Sequence, residues 1–257
     1  MDITGKRILI TRPRGQAESF AAALRAAGAR PVVFPVIEIA PLEDAAALDR
    51  ALKDLESYHW LILTSVNGVE AVWERLAAHK IEALPPDLRL AAIGPKTAGA
   101  LRAQGAEPHF VPQEYVAEAI LPGLGELRGR RVLLARAELA RPALAQAIRA
   151  AGGTADEIAA YRTLPSRLDP EGLQALRAGV DVITFTSSST VRNFAALVRK
   201  AGLDPLALPG DPLFACIGPI TAATAREEGF PVHLEAEEYT TAGLIRALQS
   251  ALDIMDY

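Results

Sequence analysis

The chain alternates short, almost continuous apolar runs with longer stretches in which apolar residues recur every three or four positions. Arg7 to Thr11 reads as a β-rich run. From Gly15 to Ala27, apolar residues at Ala17, Phe20, Ala21, Leu24 and Ala27 keep helical spacing. Gly28 follows, and a helix commonly ends in a left-handed residue at that place. Val32 to Ile39 reads as extended, Trp60 to Leu63 as a strand and Val69 to Ala78 as a helix. Leu90 to Ile93 reads as a strand and Lys96 to Gln104 as a helix. Further strands are expected around Val132, Val182 and Leu213. Strands alternating with helices of about 10–15 residues predict a parallel sheet. Strands that are apolar throughout predict helices on both faces of it.

The pattern occurs twice. Gly5-Lys6-Arg7-Ile8-Leu9-Ile10 returns as Gly129-Arg130-Arg131-Val132-Leu133-Leu134, and Arg25-Ala26-Ala27-Gly28 as Arg149-Ala150-Ala151-Gly152. Leu63-Thr64-Ser65 answers Phe185-Thr186-Ser187. Ile93-Gly94-Pro95 with Thr97 answers Ile217-Gly218-Pro219 with Thr221, and Glu114-Tyr115 answers Glu238-Tyr239. The offset is 124 residues throughout, except for 122 at the Thr-Ser pair. One offset held over separate motifs marks an internal duplication. The fold class expected is α/β: two similar domains, each a doubly wound parallel five-stranded sheet flanked by helices. A simple cut falls near residue 125. The extended segments 35–41 and 159–165, both closed by proline, allow a different cut in which the chain leaves one domain and later returns to it. Spacing leaves the two cuts open.

Composition narrows the function. A net charge of −4 over 257 residues gives no basic surface for nucleic acid. One cysteine, Cys216, excludes an internal disulfide and a multi-cysteine metal site, and its apolar neighbours predict a buried small side chain. The histidines at 59, 79, 109 and 233 have no ligand spacing, so no metal is expected. The first residues show no leader pattern and no stretch is long and apolar enough to span a bilayer. A cytoplasmic protein without a membrane or nucleic-acid partner is expected.

The chemistry is expected beyond the carboxyl ends of the strands, where helices begin. The loops there are Thr11-Arg12-Pro13-Arg14-Gly15, Thr64-Ser65-Val66-Asn67-Gly68 and Gly94-Pro95-Lys96-Thr97. Their second-half matches are Thr186-Ser187-Ser188-Ser189-Thr190 and Gly218-Pro219-Ile220-Thr221. Glycine admits close approach to the backbone. Serine, threonine and asparagine cap helices and offer donors. Free N–H groups at a helix start favour an anion. Each loop suits a carboxylate or phosphate, and simple capping is the competing explanation. No Gly-x-Gly-x-x-Gly and no Gly-x-x-x-x-Gly-Lys-Ser/Thr is present, which argues against dinucleotides and nucleoside triphosphates. There is no Gly-x-Ser-x-Gly elbow, and Ser188 has no evident histidine partner. Tyr161 breaks the repeat, since its counterpart is Ile37. A phenol stays neutral near neutral pH and can donate to a departing oxygen.

Ile-Thr-Arg-Pro, Leu-Thr-Ser-x-Asn-Gly-Val, the twofold Ile-Gly-x-x-Thr, Tyr-Arg-Thr at midchain and the late Glu-Tyr-Thr-Thr together resemble the uroporphyrinogen-III synthase family over the whole chain. The resemblance implies the returning-chain architecture. One domain would combine 1–36 with 166–257, the other would be 40–160, and 37–39 with 161–165 would form a two-stranded linker. It implies a monomer without cofactor, in tetrapyrrole (haem, sirohaem, cobalamin) biosynthesis. It would cyclise hydroxymethylbilane, a linear tetrapyrrole with eight carboxylates, with loss of water and inversion of ring D. It further implies Tyr161 as the catalytic residue. The substrate-binding residues would be Arg12, Arg14, Ser65, Asn67, Gly94, Lys96, Thr97, Ser187, Ser188, Ser189, Gly218 and Thr221. Ser188, where some relatives carry proline, and Ile220 depart from the family pattern. The rival reading is a two-lobed protein that binds an anionic small molecule without catalysis.

Overall fold

A computed structural model describes residues 3–113, 117–139 and 142–254, so the repeated pair Glu114-Tyr115 lies outside the described residues. The chain forms two compact units, Met1–Glu38 with Leu164–Tyr257, and Ile39–Thr163. They are called unit 1 and unit 2 below.

Unit 1 contains β1 (Arg7–Ile10), α1 (Arg14–Ala26) and β2 (Arg30–Val33). The chain leaves it within β3 (Ile37–Ala40). Unit 2 continues with α2 (Ala46–Lys53), β4 (Trp60–Leu63), α3 (Val66–Ala78), β5 (Arg89–Ala92), α4 (Pro95–Ala103), β6 (Arg131–Ala137) and α5 (Ala143–Ala150). The chain returns within β7 (Thr154–Pro165). Unit 1 is completed by α6 (Pro170–Arg177), β8 (Val182–Phe185), α7 (Ser188–Lys200), β9 (Leu213–Cys216), α8 (Pro219–Glu227), β10 (Leu234–Glu235) and α9 (Thr241–Ile254).

Each unit has one five-stranded sheet, in the order β10-β9-β8-β1-β2 in unit 1 and β3-β7-β6-β4-β5 in unit 2. The pairs β1–β2, β1–β8, β8–β9 and β9–β10 are parallel, as are β4–β5, β4–β6 and β6–β7. The expected α/β class with two five-stranded sheets is what the chain forms. The duplication is visible in element bounds: β4 and α3 recur as β8 and α7 at offset 122, while β5 and α4 recur as β9 and α8 at offset 124. The sheets differ at one edge. Unit 2 places β3 outside β7, whereas unit 1 adds β10 outside β9, at the place where unit 2, among the described residues, has an isolated bridge between Ala91 and Phe110.

Alternate residues of each strand enter different cores, because successive strand side chains point to opposite faces. In unit 1, Leu9, Ile183 and Phe185 pack with α6, α7 and α8, while Ile8, Ile10 and Val182 pack with α1 and α9. In unit 2, Leu61, Leu63 and Leu133 meet α2, α3 and α4, and Ile62, Val132 and Leu134 meet α5. Helix α1 buries Ala17, Phe20, Ala21 and Leu24, the spacing its sequence shows. It ends before Gly28 at φ +85°, where any other residue would be strained.

One expectation is refined and one needs correction. The extended run 32–39 is divided between two strands. Residues 34–36 separate β2 from β3, and the two strands belong to different sheets. Pro35 stands between them, and proline has no N–H to give to a ladder. Helix α3 begins at Val66 rather than Val69, because Ser65 caps it and brings Asn67 and Gly68 into the first turn.

Candidate active site

In unit 2, the end of β4 runs directly into the helix cap. Ser65 is extended, and its Oγ accepts the N–H of Gly68 at 3.0 Å. The same Oγ lies 3.0 Å from the Tyr161 hydroxyl. Tyr161 reaches this place through an irregularity in β7. Arg136 faces Ala159, but the next residue, Ala137, faces Tyr161, so Ala160 is an extra residue. Such a bulge re-aims the side chain that follows it, and bulges recur beside active sites. The ring is almost fully buried against the α2–α4 core. Helix α4 contributes Gly94 as its cap, an exposed Lys96, and Thr97, which is buried at the first turn. Thus Ser65 and Tyr161 meet in unit 2, Asn67 lies in the first turn that Ser65 caps, and Gly94, Lys96 and Thr97 begin the helix packed beside α3.

In unit 1 the matching loop is built differently. Ser187 caps α7, and its Oγ accepts the Thr190 N–H at 3.2 Å. Thr190 answers with its own hydroxyl oxygen, which accepts the N–H groups of Ser187 at 3.1 Å and Thr186 at 3.2 Å. This reciprocal arrangement is a capping box. Ser188 faces Thr224 of α8, with 2.7 Å between their hydroxyl oxygens. The carbonyl of Ser189 accepts from the Asn193 amide. Gly218 caps α8 and Thr221 is buried in its first turn. A Cβ on Gly218 would lie 2.7 Å from the Tyr239 ring, so the late Glu-Tyr-Thr-Thr motif packs directly on the Gly-Pro loop.

The loop after β1 separates the two arginines. Arg14 forms an exposed ion pair with Asp169, the cap of α6. Arg12 is mostly covered. Its Nη2 donates to Gln16 Oε1 at 2.9 Å, its buried Nε has no hydrogen-bond partner, and burial lowers its pKa. Among the described residues no carboxylate pairs with it. A guanidinium held in that state lacks the anion that its chemistry favours. Thr11, in the same motif, is a tie between strands: its hydroxyl donates to the Thr184 carbonyl at 2.6 Å.

Sequence reasoning missed Arg136, the counterpart of Arg12 at offset 124. It is buried and paired with Glu157, which also receives Arg149 at 3.2 Å. The repeat itself was the signal that could have found it. Thr190 reads only as the end of the serine loop, although its place three residues after Ser187 is the spacing of a capping box. Thr224 was missed, and nothing in its spacing marks it. Cys216 is buried, and desolvation pushes its thiol up to about 12, as an inert core residue requires. His109 and His233 are also a repeated pair, and each accepts a backbone N–H at the start of a strand, from Leu90 and Phe214.

These features define a duplicated α/β protein whose strand ends carry hydroxyl-rich helix caps and one tyrosine held by a cap serine. The profile of the family described as uroporphyrinogen-III synthase HemD matches residues 18–246. A uroporphyrinogen-III synthase from Synechococcus elongatus is 40% identical over 252 residues, covering 96% of both chains. One from Chlorobaculum parvum is 28% identical, over 96% of this chain and 99% of its own. Among solved structures, a mutant uroporphyrinogen III synthase from Thermus thermophilus shares the fold with a TM-score of 0.65 at 24% identity, over 97% of this chain and all of that one. The Helicobacter pylori enzyme does so with a TM-score of 0.62 at 18% identity, over 98% of this chain and all of its own. The chain belongs to the uroporphyrinogen-III synthase family.

Proposed function

We propose that this chain is a uroporphyrinogen-III synthase, a cyclising lyase that converts hydroxymethylbilane into uroporphyrinogen III in tetrapyrrole biosynthesis. The observation that carries the reading is the Tyr161 hydroxyl, set by a bulge 3.0 Å from Ser65 at the end of the unit 2 sheet. It supplies a proton donor beside a helix start that favours carboxylates. The substrate brings eight carboxylates, and the helix starts capped by Ser65, Gly94, Ser187 and Gly218 offer backbone N–H donors suited to them. Asn67, Lys96, Thr97, Ser188, Ser189 and Thr221 lie in the same first turns. Arg12 supplies a covered cation without a carboxylate partner, the strongest single anchor of the set. Arg14 serves less directly, since Asp169 already holds it.

In the reaction, Tyr161 donates its proton to the hydroxymethyl oxygen as the carbon–oxygen bond breaks, and water leaves. The terminal ring is then attacked, inverts through a spiro intermediate, and the macrocycle closes. Orientation of the flexible chain supplies much of the advantage over spontaneous closure. The chain works as a cytoplasmic monomer without cofactor. The test is turnover of hydroxymethylbilane, with type III and type I products separated by chromatography. Tyr161→Phe is expected to lower kcat by about a hundredfold, in the range typical for a lost general acid, and to raise the share of type I. Full activity and an unchanged isomer ratio in that variant would remove Tyr161 from the mechanism. Binding without any type III product from the wild-type chain would instead favour a non-catalytic binding protein.

A further inference from the structure

Ser65 has a second bond besides its helix cap. A hydroxyl carries one proton and two lone pairs. The Gly68 N–H occupies one lone pair of Ser65 Oγ, and the Ser65 proton remains available to the phenol oxygen 3.0 Å away. Between two hydroxyls the bond can run either way. Once the phenolic proton moves to another oxygen, one direction remains, because a phenolate can only accept.

We propose that Ser65 is the positioning residue for Tyr161, so that hydrogen bonds run in one line from Gly68 N–H to Ser65 Oγ, from Ser65 O–H to the phenol oxygen, and from the phenol O–H to the departing oxygen. This rests on the acid role given to Tyr161 above. The electron count closes without a co-reactant. The carbon–oxygen bond of the hydroxymethyl group breaks with its electron pair on oxygen, and the Tyr161 proton completes a water molecule. The pyrrole nitrogen lone pair fills the demand at carbon. The phenolate, held by the Ser65 proton and indirectly by the Gly68 N–H, takes back a proton when the closing pyrrole loses its own. Charge that develops on the phenol oxygen thus meets a donor already in place, which needs no reorganisation during the reaction. Each bond in the line polarises the next.

The other half of the molecule is an internal control. Its cap serine, Ser187, has the same fold position, yet the residue that matches Tyr161 at offset 124 is Ile37, which has no hydroxyl, and Thr190 replaces Gly68 and ties the loop to itself. A cap alone therefore accounts for Ser187. It does not account for the second bond of Ser65 or for the bulge that delivers the phenol to it.

Ser65→Gly tests the line cleanly, because glycine at a helix cap costs only a few tenths of a kcal/mol relative to serine. The expected result is a fall in kcat of about tenfold, the worth of one good hydrogen bond, with KM within about twofold and little change in Tm. Ser65→Thr, which keeps the hydroxyl, should restore kcat to within about twofold of wild type. Adding Ser65→Gly to Tyr161→Phe should cost nothing further, since the two act as one unit. Wild-type kcat in Ser65→Gly, or a full tenfold loss in the Tyr161→Phe background, would overturn the proposal. If Tyr161→Phe alone were wild type, the acid role itself would fail. A defective Tyr161→Phe beside an active Ser65→Gly would sink only the line through Ser65.

Discussion

The two halves of this chain started from one plan and spent their loops differently. The helix after β8 is closed by its own side chains. Thr190 takes two backbone N–H groups, Ser188 is engaged with Thr224, and the core beneath is a cluster of phenylalanines at 34, 185, 194, 214 and 230. The helix after β4 has Gly68 where Thr190 stands, and no side chain there can accept the N–H groups of Thr64 and Ser65. Its serine turns instead to Tyr161. The paired arginines diverged in the opposite sense. Arg136 of unit 2 is neutralised by Glu157, whereas Arg12 of unit 1 has only the Gln16 amide and a stranded Nε. Each unit therefore keeps one of its two polar features open and closes the other. Duplication supplies the frame, and function needs the copies to differ.

That contrast can be broken most sharply by moving the capping box across. Gly68→Thr would import the hydroxyl of unit 1 into unit 2, with a new Cβ at 3.3 Å from Ser65 Oγ and from the Ala135 carbonyl. Ser65 and its loop would then bond to the threonine, and kcat should fall on the order of tenfold to a hundredfold. Urea unfolding should show the fold intact. A variant with wild-type turnover would mean that the openness of this loop is irrelevant.

The arginines should separate next. Arg136→Met leaves Glu157 with Arg149 alone, and chemical denaturation should report a loss of about 2 kcal/mol. That is less than the ~3–5 kcal/mol for breaking a fully buried pair, because Glu157 keeps a partner and some water. Arg12→Met should change stability by less than about 1 kcal/mol, since the lost bond to Gln16 is offset by removal of a buried Nε that nothing satisfies, but KM for hydroxymethylbilane should rise about tenfold. Equal effects in the two variants would show that the difference in pairing means little.

Within unit 1, Thr190→Gly should lower stability by about 1–2 kcal/mol, through the lost cap bonds and the helix cost of glycine, and leave kcat within about twofold. A marked loss of turnover would show that the closed loop is catalytic after all.

The smallest difference is electrostatic. Asp49 of α2, where unit 1 has Leu173, receives Arg75 at 2.7 and 2.5 Å and His79 at 3.1 Å. The Arg75 bonds lower its pKa from the ordinary 3.8 to about 2. A lowered carboxylate stabilises the fold above the unfolded value and loses that contribution as pH falls through the folded one. Stability should therefore decline as pH drops from about 4 toward 2, and the decline should be shallower in Asp49→Asn. Matching acid-unfolding curves for the two proteins would contradict this.

The sequence alone determined the duplication, the α/β class and the helix caps that stand at the strand ends. Those rest on periodicity, on apolar strands covered from both sides, and on capping residues that act within a few positions of themselves. Ser65, Gly94, Ser187 and Gly218 were legible as caps for that reason. Only the tertiary structure decided what the caps touch. Ser65 and Tyr161 are 96 residues apart, and the bulge that joins them depends on the register of β6 against β7. Arg12 and Arg14 look alike in the sequence, yet one is exposed and paired across the fold and the other is covered and unsatisfied. Propensity and capping are short-range and can be read along the chain. Burial and the partner of a polar group are set by atoms brought together from distant positions, and no local pattern encodes them.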